Sequence, residues 1–120
     1  YRAMAKAVAA CQQPEGYWTR SLLDPEHAPG PETSGTAFFT YGLLWGMNNG
    51  FLDKATYQPV VEKAWKYLTT VALQSDGRVG YVQPIGEKAI PGQVVDANST
   101  ANFGVGAFLL AACEMVRFLN

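Results

Sequence analysis

No charged side chain occurs between Thr33 and Leu52, and within that run the apolar positions do not form a single stripe. Thr36, Phe39, Thr40, Leu43 and Met47 share one helical face, Ala37, Tyr41 and Leu44 fill a second, and Phe38 and Trp45 a third. A helix here is apolar nearly all round and is expected to be buried. A membrane span fits poorly, because Thr36, Thr40, Asn48 and Asn49 interrupt the run and Gly35, Gly42, Gly46 and Gly50 dilute it; such glycines instead permit close helix neighbours. Val60, Val61, Ala64, Trp65, Leu68, Val71 and Ala72 make the opposite pattern, one broad stripe with Glu62, Lys63, Lys66 and Thr69 facing away. This predicts an amphipathic outer helix with Pro59 in its first turn and a Glu62–Lys66 pair at i,i+4. From Ala101 to Asn120 the inner type returns, apolar from Phe103 to Cys113 with its first charge at Glu114. At the start of the chain, Arg2 to Gln13 sets Met4, Val8 and Cys11 on one side of an alanine-rich helix that Pro14 and Gly16 end.

The connections carry their own signals. Pro14 to Pro31 holds four prolines and two glycines yet also Tyr17, Trp18, Leu22 and Leu23, so this loop is expected to fold onto the helices. Asp76-Gly77, followed by the alternating run Arg78 to Val82, predicts a short β-hairpin, and Gly86 to Thr100 reads as loop. Thr36-Ala37-Phe38-Phe39 is echoed by Gly106-Ala107-Phe108-Leu109, as two equivalent inner helices of a repeating array would be. The fold class expected is all-α: stacked helical hairpins of an α/α toroid or solenoid, with a short β-hairpin in one loop.

At 120 residues with 48% hydrophobic content, the chain is one domain or part of one. It opens at Tyr1 inside a helix-like pattern with neither Met nor leader, and is expected to be a piece of a longer polypeptide. A net charge of −1 with scattered Lys and Arg gives no basic stripe for nucleic acid and no polybasic patch for a membrane. Cys11 and Cys113 lack CxxC spacing and are expected to be two buried thiols. His27 is the only histidine, too few for a zinc site and a poor basis for a Ser-His-Asp triad.

Candidate chemistry gathers at the start of the charge-free helix. A helix N-terminus offers unpaired N–H groups and a partial positive charge, and Thr33, Ser34 and Thr36 add hydroxyls. The pattern is open to two readings: a seat for a carboxylate, or an ordinary cap by Thr33 or Ser34. Trp18 likewise either stacks on a sugar ring or plugs the core beneath its loop.

Taken together, GYW (16–18), DPEHAPGPETSGTAFFTYGLLWGMNNGFLD (24–53), YQPVVEKAWKYL (57–68), SDGRV (75–79) and FGVGAFLLAACE (103–114) resemble the C-terminal part of the unsaturated uronyl hydrolases, glycoside hydrolase families 88 and 105, in the correct order and over nearly the whole chain. The resemblance implies an (α/α)6 barrel, of which residues 1–120 supply about a third as the C-terminal segment of a single catalytic domain. It implies a substrate in which a polysaccharide lyase has left a Δ4,5-unsaturated uronic acid on a pectin- or rhamnogalacturonan-type oligosaccharide, hydrolysed by hydration of the vinyl ether without metal or organic cofactor. The family's acid, an Asp, lies on an earlier hairpin, and Asp24, Asp53, Asp76 and Asp96 match no such motif, so no catalytic residue is assigned here. Trp18, Thr33, Ser34 and Thr36 are the substrate-binding residues it implies. The remaining partner expected is the rest of the parent barrel, or another copy through exposed helical faces; the alternative function is a truncated, non-catalytic helical interaction module.

Overall fold

Four helices carry the fold: α1 (Arg2–Ala10), α2 (Thr33–Asn48), α3 (Lys54–Tyr67, continued by a π-helical turn over Leu68–Ala72) and α4 (Asn102–Leu119). The computed structural model describes all of residues 1–120. α2 is the inner element expected from its charge-free sequence: its most extensive contacts are with α4, and α3 and α1 also pack on it. Small residues make the α2–α4 contact close, since Ala37, Ala107 and Ala111 are buried in one cluster with Tyr67, Leu68, Ala72, Val79 and Val82. A second cluster gathers Leu43, Leu44 and Met47 of α2 with Ala5, Trp18, Val61, Ala64 and Met115. One helix therefore feeds both halves of the core.

Several local expectations are corrected. α3 starts before Pro59, because Asp53 caps it, its Oδ2 accepting from Thr56 N at 2.8 Å and Thr56 Oγ1 at 2.7 Å; Pro59 lies inside the helix. Glu62 does not pair with Lys66 but accepts from Gln58 Nε2 at 2.8 Å, on an exposed face where an ion pair adds little. The hairpin after Asp76-Gly77 shrinks to a single antiparallel bridge, Leu73 to Val79. The run that should have paired as a strand is drawn elsewhere: Tyr81 N donates to Asp96 O at 2.8 Å, Val82 N to Ser99 O at 2.9 Å, and Tyr81 O accepts from Thr33 N at 2.7 Å. α1 stops at Ala10 rather than Gln13, with Gln12 Nε2 turned to the carbonyls of Gly16 and Val60. Both cysteines are free, but Cys113 is exposed and Cys11 half-buried.

α4 is long and apolar enough to cross a membrane by length and composition. In this structure it is tied to α2 through buried Glu114, whose Oε2 accepts from Asn48 Nδ2 at 2.7 Å and whose Oε1 accepts from Arg117 Nη1 at 2.8 Å. Its other face is open. Val105, Leu109 and Val116 are 41%, 57% and 59% exposed, and Phe38 and Trp45 stand out from α2 at 47% and 37%. Large apolar side chains at helical spacing on inner-type helices mark faces that a neighbour covers. The isolated chain at micromolar concentration is therefore expected to sediment as an associated species; a single monomer that unfolds cooperatively would contradict this reading of the open faces.

Candidate functional site

The N-terminus of α2 holds an anion, and it is the chain's own. Glu32, 2% exposed, is the N-cap: its Oε1 accepts from Ser34 N at 3.1 Å, Ser34 Oγ at 2.8 Å and Gln83 N at 3.0 Å, and its Oε2 from Gly35 N at 2.6 Å. The helix end thus compensates the buried carboxylate with three donors and the favourable end of the helix dipole, and the Gln83 amide adds a fourth donor from the loop. Gly35 belongs to this arrangement, because a Cβ there would lie 3.1 Å from Glu32 Oε2. Neither Thr33 nor Ser34 is the cap, and the carboxylate seat read from the sequence is filled from within. Ser, Thr, Asp and Asn are the favoured caps, so a Glu at position 32 does not stand out as one in the sequence. The available signal was that it is the last charge before the charge-free run.

The remaining hydroxyls at this turn are also spoken for. Thr33 Oγ1 donates to Gly80 O at 2.7 Å, so the Tyr67 hydroxyl, 2.8 Å away, donates to Thr33. Burial pushes the Tyr67 phenol well above its ordinary pKa, with the bond to Thr33 opposing the rise, and the group stays a neutral donor. Thr36 Oγ1 donates to Glu32 O at 2.7 Å and accepts from Trp18 N at 3.0 Å. Trp18 is 1% exposed, its Nε1 donating to Val8 O at 2.7 Å and its ring edge-on to Phe39 at 5.3 Å. Glu32 N also donates to Trp18 O at 3.2 Å. Trp18, Thr33 and Thr36 therefore form a sealed wall that joins the 14–31 loop to α2, and they present almost no surface of their own.

On the outer side of that wall lies a cavity of about 350 Å³, lined by Arg20, Ser34, Gln83, Glu87, Lys88 and Phe103 among others. It sits where the first turns of α2 and α4 meet the 83–93 loop. Of the four residues singled out from the sequence, Ser34 alone lines it. Its hydroxyl proton goes to Glu32, so it meets anything in the cavity as an acceptor, a role suited to a sugar hydroxyl. The backbone is strained beside it: Tyr81, two residues before Gln83, has φ of 62° and is the only non-glycine residue in the left-handed region. Gly80 next to it is required by close approach, since a Cβ there would strike the Ala97 carbonyl. Arg20, Gln83 and the 83–93 loop were not legible as site residues, because nothing in their local sequence brings them to the α2 start.

Comparison with known proteins shows the family and the fold of the chain. The family described as Glycosyl Hydrolase Family 88 matches residues 1–119. The unsaturated 3S-rhamnoglycuronyl hydrolase of Formosa agariphila is 44% identical over 117 residues, which are 98% of this chain and 30% of that protein. Among solved structures, a glycosyl hydrolase family 88 protein from Bacteroides vulgatus superposes with a TM-score of 0.93 at 76% identity, over 98% of this chain and 34% of that one. A chain named as a polysaccharide lyase does so with a TM-score of 0.91 at 86% identity, over 97% of this chain and 33% of that one. The chain spans about a third of the length of the relatives it matches. Its helices are those of about a third of an (α/α)6 toroid.

The Glu32 cap can be tested by substitution. Glu32→Ala in the full-length protein leaves the amides of Ser34, Gly35 and Gln83 without their acceptor and is expected to cost about 2–4 kcal/mol. Thermal unfolding reads the loss, and amide exchange at Gly35 and Gln83 should quicken together. A change within about 0.5 kcal/mol, in the range of ordinary surface substitutions, would mean that the cap is dispensable.

Proposed function

We propose that this chain, which belongs to Glycosyl Hydrolase Family 88, is the C-terminal segment of a single (α/α)6-barrel catalytic domain that removes a Δ4,5-unsaturated uronic acid from lyase-generated oligosaccharides. The observation that carries the reading is the family match over residues 1–119. The activity for which the Formosa agariphila relative is named supports an unsaturated uronyl residue on a rhamnose-containing chain as the substrate, and favours rhamnoglycuronyl over rhamnogalacturonyl oligosaccharides. The cavity at the start of α2 is the part of the substrate pocket that this segment contributes. Ser34 meets the sugar there, and Trp18, Thr33 and Thr36 hold the wall behind it.

In the chemistry proposed, an acid of the parent barrel protonates C4 of the vinyl ether and a water oxygen bonds to C5, its proton passing to the conjugate base. The hemiketal so formed opens, and the neighbouring sugar leaves with its hydroxyl. This segment supplies no such acid. A general acid must reach the reacting atom with a proton to give, and Glu32 is held as a buried carboxylate by four donors. The lining carboxylate of Glu87 is exposed on the loop.

A second reading, a lyase, is favoured by the name of the chain that is 86% identical to this one. The two reactions differ in sign at one observable. Hydration removes the conjugated C4=C5 bond, whereas elimination creates it. The full-length protein with an unsaturated rhamnoglycuronyl oligosaccharide is expected to lower the ultraviolet absorbance of that bond, and residues 1–120 alone to leave it unchanged. A rise in absorbance on an intact polysaccharide would establish the lyase, and turnover by residues 1–120 alone would place the acid in this segment.

A further inference from the structure

The 350 Å³ cavity contains a guanidinium that the fold leaves without a carboxylate partner. Arg20 reaches across to the 83–93 loop, Nη1 donating to Gln93 Oε1 at 3.1 Å and Ile90 O at 3.4 Å, and Nη2 to Gln93 O at 3.4 Å. All three acceptors are neutral, and the chain's two ion pairs, Arg78–Asp76 and Arg117–Glu114, lie elsewhere. Arg20 Nε makes no bond within the chain, and since no buried side-chain nitrogen lacks a partner, it is open to solvent. Lys88 on the same loop adds a second cation to the lining, and Glu87, which pairs with neither, is the one carboxylate on it. Glu32 lies behind Ser34 with its charge already met by donors. In a chain of net charge −1, the cavity lining thus carries two cations against one free carboxylate.

We propose that Arg20, supported by Lys88, forms a subsite for an anionic group of the oligosaccharide, a sulfate ester or a carboxylate. The inference rests on the cavity being substrate pocket. An arginine suits the task because its planar fork matches two oxygens of such a group, and it is already oriented by the Gln93 and Ile90 bonds, so little freedom is lost on binding. The chain's own carboxylate occupies the N-terminus of α2. Arg20 therefore offers a ligand's negative charge a side-chain partner that the first turn of α2 does not.

The experiment uses the full-length protein and two substrates, an unsaturated disaccharide sulfated on the sugar next to the uronate and its desulfated counterpart. Arg20→Gln is expected to raise KM at least tenfold with kcat within about threefold, and Arg20→Lys, which keeps the charge but loses the fork that holds Gln93, to recover a good part of that loss. A KM increase confined to the sulfated compound assigns the subsite to the sulfate ester; an equal increase on both assigns it to the uronate carboxylate. An unchanged KM in Arg20→Gln overturns the subsite, as does a loss that Arg20→Lys does not relieve, which would mean that Arg20 only pins the loop. Failure of the wild-type protein to turn over either compound would overturn the functional reading itself.

Discussion

The structure depends on one buried carboxylate. Glu32 closes the N-terminus of α2, and through the same residue the chain fastens three segments that are distant in sequence. Its backbone N–H bonds Trp18 in the first long loop, its carbonyl takes the Thr36 hydroxyl, and its side chain takes the amide of Gln83 in the second long loop. An ionised side chain this deep is tolerable only with its lone pairs filled, and each donor it receives lies on a segment that must stay in register for the site to exist. The cap, the Trp18 wall and the position of the 83–93 loop are consequences of one set of hydrogen bonds.

That arrangement also explains what the cavity can and cannot do. With its N-terminus occupied by Glu32, α2 offers a ligand no free backbone anion site, and the Ser34 hydroxyl is turned into an acceptor. In the function proposed, charge recognition passes to side chains that arrive from the loops, and hydroxyl recognition stays with the first turn of α2. A pocket wall built this way separates the rigid part, set by α2 and Trp18, from the part carried on the 83–93 loop.

The helical layers were legible because they depend on local pattern. The charge-free run from Thr33 to Leu52 marked an inner helix, and the Val60 to Ala72 stripe marked an outer one, in which Val61, Ala64, Leu68 and Ala72 are buried while Val71 is exposed. The echo of Thr36 to Phe39 in Gly106 to Leu109 also has a physical counterpart, since Ala37 and Ala107 are buried in the same α2–α4 contact. What was not legible depended on long-range partners. Arg78 to Val82 alternates as a strand does, and Gly80 N still donates to Ala72 O across the turn, but the amides of Tyr81 and Val82 find Asp96 and Ser99 and Thr33 N takes the Tyr81 carbonyl, so the pairing stops at one bridge. Arg20 gave no local signal at all, because its partners Ile90 and Gln93 are about seventy positions away. Glu32 stood beside the better-known capping residues and was masked by them.

The exposed stripe Val105, Leu109 and Val116, with Phe38 and Trp45, is apolar surface of the kind that neighbouring elements cover. The most direct test of the account is a crystal structure of the full-length protein with an unsaturated rhamnoglycuronyl oligosaccharide bound. The account predicts ligand oxygens within hydrogen-bonding distance of Ser34 Oγ in the cavity at the start of α2, with Glu32 still capping the helix. A ligand bound elsewhere in the barrel with this cavity holding only solvent, or one whose carboxylate displaces Glu32 from the α2 N-terminus, would contradict it.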